Sequence, residues 1–191
     1  MRRRPTLLAL LLFSATLVQA QFYKTILPTS EFTNSLEKII LDFRSNYKNI
    51  QGEQLMKEGN IETFESVIKL PGAYACRIFQ YNSVVDTSAT WQAIMYRGDD
   101  YNEAVRSYEN IFRLVKKSHV KWIDRSSIGF EGEMKKPKEE MRFTVSTLKF
   151  KIDDPRYEKF IAEIEMIPSQ EGWEVRFNLV TKKPDTEGNL Y

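Results

Sequence analysis

Tyr101, Val105, Tyr108, Phe112 and Val115 step along the chain by 4, 3, 4 and 3 residues, with Ala104 and Ile111 beside them. That spacing draws one stripe on an α-helix and fits no other regular element. Gly98-Asp99-Asp100 precedes it, so Asp100 is the expected cap, with Glu103 at the capping-box position. Lys116 and Lys117 close the helix where positive charge suits its dipole. A helix with one greasy side must bury that side, so the rest of the chain has to supply an apolar surface to cover it.

The flanking segments supply it as strands. Upstream, a second helical stripe runs through Phe32, Leu36, Ile39, Ile40, Phe43 and Tyr47, opened by Pro28-Thr29-Ser30 and predicted over residues 31–48. Gln51 to Asn60 is polar, contains Gly52 and Gly59, and reads as a loop or a fraying extension of the helix. Strand-like runs follow at Thr63–Leu70, closed by Pro71-Gly72, then at Tyr74–Tyr81 and Ala89–Arg97. After the second helix come Val120–Glu131, a charged tip from Lys135 to Glu140, and Met141–Ile152. In that last run Met141, Phe143 and Val145 lie on one face and Leu148, Phe150 and Ile152 on the other, so a bulge is expected near Ser146-Thr147. Tyr157–Ile167 and Trp173–Lys182 form a final hairpin around Ser169–Gly172. Its register sets Glu165 opposite Arg176; a two-residue slip would set Glu165 against Glu174, a like pair worse by about 0.2–1 kcal/mol.

The expected fold is therefore α+β: two amphipathic helices packed on antiparallel sheet, in the order α-β-β-β-α-β-β-β-β. A single domain over 21–182 is expected, with a tail at 183–191. The order also allows two αβ halves, 21–98 and 99–182, although no residue-level repeat supports a duplication. An outer-membrane barrel does not fit, because helices interrupt the strands and Arg77, Glu163 and Arg176 would face lipid.

The first 20 residues have a different character. Arg2-Arg3-Arg4 precedes a mostly apolar run, Leu7–Val18, which is short for a membrane span, and Val18-Gln19-Ala20 offers the small residues a signal peptidase reads. An export signal cleaved before Gln21 is the expectation, ahead of a retained anchor or a twin-arginine signal. The formal charge of +2 belongs to this segment: three of the 28 basic residues lie in it and none of the 26 acidic ones, leaving net −1 from Gln21 onward. No basic surplus remains to attract nucleic acid or an anionic membrane surface. A composition of 42% hydrophobic, 13% aromatic and 28% charged residues excludes a disordered chain.

One cysteine, Cys76, permits no internal disulfide, and the chain has no Asn-x-Ser/Thr acceptor. Their joint absence fits a bacterial envelope protein, periplasmic or secreted, better than a small secreted eukaryotic domain. No later segment is apolar enough for a span.

Catalytic chemistry finds few candidates. One His and one Cys do not make a zinc site, and neither a calcium loop nor a glycine-rich phosphate loop is present. No cofactor, metal site or catalytic residue is predicted. His119 follows the second helix with no nucleophile elbow, and Cys76 reads as a small buried residue between Tyr74 and Ile78. Glu163 and Glu165 share a strand face and Glu139-Glu140 sit in the charged tip, which reads as a solvated surface.

Aromatic residues are the enriched feature. Most serve a core, but Phe79 and Tyr81 stand with Arg77 on the strand face opposite Cys76. Arg77, Phe79 and Tyr81 are the predicted ligand-binding residues. The function expected is a non-enzymatic exported binding domain for an envelope protein. The alternatives are a carrier of a small apolar ligand between sheet and helices, and a hydrolase using carboxylates alone. A monomer or a homodimer formed through edge strands would serve any of them.

Overall fold

A computed structural model describes residues 27–84 and 86–182. The expected export signal, its cleavage site and the tail at 183–191 lie outside these residues. Among the described residues the chain builds two α-helices and one eight-stranded antiparallel sheet, with a small two-stranded hairpin beside it. The α+β class is as expected.

Helix α1 spans Ser30–Asp42. Thr29 caps it, its Oγ1 accepting from the Phe32 amide at 3.1 Å. The predicted stripe runs on past the helix end. At Phe43–Ser45 the chain tightens into a 3₁₀ turn, and Asn46 and Tyr47 then take positive φ of 52° and 58°. The Asp42 carboxylate accepts from the Asn49 amide at 3.1 Å and from its Nδ2 at 2.6 Å, closing the turn. Tyr47 still reaches the core, and its hydroxyl donates to the Leu179 carbonyl at 3.1 Å. The stripe therefore recorded burial at Tyr47 without helix.

Eight strands follow in the order β1 Gln51–Glu58, β2 Ile61–Ser66, β3 Ala75–Tyr81, β4 Ala89–Gly98, then, after helix α2 Tyr101–Lys117, β7 Phe130–Glu131, β8 Thr144–Phe150, β9 Phe160–Ser169 and β10 Gly172–Thr181. Between α2 and β7, β5 Val120–Lys121 and β6 Ser127–Ile128 form the separate hairpin. Helix α2 spans Tyr101–Lys117, and the Asp100 carboxylate accepts from the amides of Asn102 and Glu103. Glu103 does not complete a reciprocal box; its carboxylate pairs with Arg106 on the next turn.

Spatial order in the sheet is β1-β2-β3-β4-β10-β9-β8-β7. Each helix precedes an antiparallel meander, and the two meanders join last strand to last strand, β4 against β10. One hydrophobic cluster holds the inward residues of both helices and of β3, β4, β9 and β10, including Leu36, Ile39, Tyr108, Phe112, Ile78, Trp91, Ile164 and Phe177. Both helices thus cover the same face of the sheet.

Four local expectations are corrected. Residues 51–58 form strand β1 rather than a loop; it is an edge strand exposed along nearly its whole length, so no alternation marks it. The run 120–131 is broken into β5, β6 and β7 by a turn in which the Asp124 carboxylate accepts from the Ser126 amide at 2.8 Å and Arg125 takes φ of 70°. No bulge interrupts β8, whose pairing with β9 is regular from Thr144 to Lys149. Thr144 and Ser146 share the buried face with Leu148 and Phe150, while Met141 and Phe143 precede the strand and are exposed. Ser146 is tolerated there because Tyr108 shares a hydrogen bond with its hydroxyl and the Lys135 amide donates to it at 2.8 Å. Tyr74, expected beside Cys76 in the core, precedes β3 and is exposed.

The final hairpin has the predicted register, Glu165 opposite Arg176. Its turn is two residues long, and Gly172 sits at φ 107°. A Cβ at Gly172 would lie 2.6 Å from the Asp99 Cα and 2.7 Å from the Gly98 carbonyl oxygen. Only glycine lets this turn lie against the end of β4, which fixes the end of the site described next.

Candidate functional site

The helices leave the other face of the sheet open. Strand periodicity sends alternate residues of β3, β4, β10 and β9 to that face, where they line a concave depression of about 510 Å³. Arg77, Phe79 and Tyr81 form its β3 wall, and Glu163 and Glu165 its β9 wall. Between them Thr90, Gln92 and Ile94 of β4 and Arg176, Asn178 and Val180 of β10 make the floor, with Arg97 and Glu174 at one end.

One irregularity shapes that end. Val175 pairs with Tyr96 but Arg176 pairs with Ile94, so Met95 is an extra residue in β4. Without this bulge Tyr96 would follow Ile94 on the open face; with it, Arg97 does, directly opposite Glu174. Glu174 is only 2% exposed. It accepts from Arg97 Nε and Nη2 at 2.8 and 2.6 Å on one oxygen and from Arg176 Nε on the other. Burial pushes its carboxyl up, but the hydrogen bonds from Arg176 and Arg97 outweigh that and hold it below the ordinary glutamate value.

The predicted partnership of Glu165 with Arg176 thus exists as a register but not as an ion pair. Arg176 turns along its own strand to Glu174. Glu165 and its neighbour Glu163 make no ion pair among the described residues. Burial, reinforced by the Glu165 charge, pushes the Glu163 carboxyl above its usual value.

Across the floor, Arg77 is also without an ion pair among the described residues. Its cross-strand neighbour Glu65 bonds Lys69 instead, at 3.1 Å. Register places Arg77, Gln92, Asn178 and Glu163 in one row over four adjacent strands. In the middle of the row Gln92 Nε2 donates to Asn178 Oδ1 at 2.9 Å. Toward the β1 edge the open face turns apolar: Ile61 pairs with Tyr81 and Met56 with Thr63, and both Ile61 and Met56 are exposed.

The structure brings Arg77, Phe79 and Tyr81 together as the sequence placed them, on the face opposite Cys76 and Ile78. Sequence reasoning passed over Gln92, Asn178, Arg97 and Glu174. The available signal was the polar half of the alternation in β4 and β10, where Thr90-x-Gln92 and Glu174-x-Arg176-x-Asn178 repeat every second residue. Arg97 could not be placed that way, because the bulge at Met95 shifts its phase.

The other titratable candidates lie elsewhere. His119 is exposed beyond α2 with Nδ1 near the Lys117 carbonyl at 3.2 Å. Cys76 is buried, its Sγ accepts from the Leu70 amide at 3.4 Å, and burial pushes its thiol up. Among the described residues no group of three or more His, Cys, Asp or Glu side chains is placed to hold a metal ion. No helix among them is long and apolar enough to cross a membrane. No protein-family model, curated protein or solved structure matches the chain.

Proposed function

We propose that this protein is an exported, non-enzymatic interaction domain that receives a partner in the depression on the open face of its sheet. One observation carries the reading: three ionisable side chains, Arg77, Glu163 and Glu165, enter one concavity without an ion partner among the described residues. Partly desolvated charges left unpaired by the fold are satisfied by something outside it. Phe79, Tyr81 and the exposed Ile61 beside them extend that surface with apolar area. Export rests on Arg2–Arg4, the Leu7–Val18 run and the Val18-Gln19-Ala20 site. The destination is the periplasm or the exterior of a bacterial cell.

A hydrolase using carboxylates alone is the second reading, favoured by the raised Glu163 carboxyl. Yet Glu163 and Glu165 stand two residues apart on one strand and occupy the same wall. Two-carboxylate hydrolysis needs its acids on opposite sides of the scissile bond, which favours binding over catalysis here. An apolar carrier with its ligand between sheet and helices draws no support from the packing, since Trp91, Tyr108 and Phe177 fill that space with no exposed area.

A photo-crosslinking residue at Gln92, on the floor, tests the proposal against one at Arg106, on the exposed side of α2. In the native cell, a discrete captured partner at position 92 and none at 106 is expected. Equal capture at both positions, or none at 92, overturns it. The intact mass of the protein recovered from that cell tests export, the expected value being that of residues 21–191.

A further inference from the structure

We propose that the occupant of the depression is an extended peptide segment of a partner protein that lays a lysine or arginine side chain against Glu163 and Glu165. This rests on the reading of the open face as a binding surface and names what that surface takes.

The argument begins with charge. The Arg97–Glu174–Arg176 cluster spends its acid internally, whereas Glu163 and Glu165 present two unneutralised carboxylates on one wall and Arg77 one guanidinium on the other. An occupant complementary to this is cationic at the β9 end and anionic at the β3 end. Nucleic acid and anionic lipid meet the acid pair with like charge and are disfavoured.

The floor adds a second constraint. Asn178 is 5% exposed and lines the depression, and among the described residues its side chain is hydrogen-bonded only through Oδ1. Its Nδ2 therefore offers donors next to the acceptor Oε1 of Gln92, whose Nε2 is bonded to Asn178. Donor and acceptor side by side match the C=O and N–H of a peptide group. A free diamine or a metal ion matches only the carboxylates.

Length fits as well. Arg77 and Glu163 are three strand spacings apart, about 14 Å along the sheet, and extended chain covers about 3.4 Å per residue. A segment with its opposite charges four positions apart covers about 14 Å and carries both on one face, as strand alternation requires. A second copy of this chain is a poor occupant, since two concave faces do not nest. Its most exposed edge, β1, carries two register irregularities against β2, which discourage strand addition.

The test titrates the full ¹⁵N-labelled chain with acetyl-Lys-Ala-Ala-Ala-Asp-amide and with acetyl-Asp-Ala-Ala-Ala-Lys-amide, because the row sets end charges and not chain direction. Expected are saturable amide shifts concentrated in β3, β4, β9 and β10 for at least one peptide. Replacing its lysine by norleucine weakens binding at least about tenfold, and so does the double variant Glu163→Gln, Glu165→Gln with the natural peptide. The spectrum of that variant reports its folding directly. The inference is overturned if neither peptide shifts those strands, if the norleucine peptide binds equally well, or if 1,5-diaminopentane binds as tightly as the peptide. A crosslinked partner still captured at Gln92 in those cases leaves the interaction surface standing and removes only the basic peptide.

Discussion

The two faces of the sheet are written by the same four central strands in alternating letters, yet they are held by different physics. Trp91 and Gln92 are adjacent in β4, as are Phe177 and Asn178 in β10. One member of each pair packs under the helices, and the other lines an open depression. On the covered face Ile78, Trp91, Ile164, Phe177 and Leu179 have no exposed area. In the depression on the open face the ion pairs gather at one end, around Glu174, while Arg77, Glu163 and Glu165 make none among the described residues. The fold needs the first face, whereas outside the Glu174 cluster the second carries charges the fold does not use.

The strongest test of that contrast is to remove packing. Trp91 has no exposed area, meets Phe177 edge to face at 6.1 Å between ring centroids, and donates its Nε1 to Ser66 Oγ at 2.9 Å. Trp91→Ala deletes that contact area and leaves a cavity, and is expected to cost about 3–5 kcal/mol. A urea titration should show the midpoint falling with little change in slope. A loss below about 1 kcal/mol would mean that the covered face is not the core.

A smaller effect belongs to the one part of the open face that the fold does use. Glu174→Gln leaves Arg97 and Arg176 side by side with no anion, and because both guanidiniums are more than one-third exposed the expected cost is about 1–3 kcal/mol. Its pH dependence has a definite sign. The folded-state carboxyl lies below its ordinary value, so the native state binds fewer protons than the unfolded chain through that range. The contribution is complete above about pH 4.3, the unfolded glutamate value, and is lost as pH falls through the folded one. Unfolding followed from neutral pH downward should therefore show an acid limb that Glu174→Gln flattens.

This division also explains what could be read from the sequence. Helix α2 and the β9–β10 register were legible because each is over-determined: cap and apolar stripe for α2, alternation and charge pairing for the hairpin. Arg77, Phe79 and Tyr81 were legible as one face because β3 has no irregularity. Strand β1 was not, because neither of its faces is buried. In β8, the buried Thr144 and Ser146 masquerade as surface, and the Ser146 hydroxyl is satisfied by partners outside its strand, Tyr108 and the Lys135 amide. The Arg97–Glu174 end of the site depends on a bulge that no local pattern announces. Tertiary pairing decided each of these, and periodicity is blind to it.

The acid pair gives a change of the opposite sign. Because burial and Glu165 raise the Glu163 carboxyl, ionising it costs the native state free energy. The native chain holds more protons than the unfolded chain between the two values. The cost thus appears as pH rises through the folded value and is absent below about pH 4.3. Glu163→Gln removes it, and at neutral pH a stabilisation of about 0.5 kcal/mol is expected, vanishing in acid. Thermal unfolding at pH 7 and at pH 4 measures both. Destabilisation at neutral pH would show that Glu163 has an internal partner after all.

The smallest expected effect sharpens the comparison most. Arg97 and Arg176 both serve Glu174, while Arg77 serves no acid among the described residues. Arg77→Gln should therefore leave stability within about 0.5 kcal/mol, while Arg97→Gln costs about 1 kcal/mol or more by removing two hydrogen bonds from a buried carboxylate. Side-by-side urea unfolding of the two variants separates an arginine retained for folding from one that is not. If Arg77→Gln proves as costly as Arg97→Gln, its guanidinium is satisfied internally. The β3 wall then has no positive charge to offer, and the depression reduces to an acid pair beside a neutral floor.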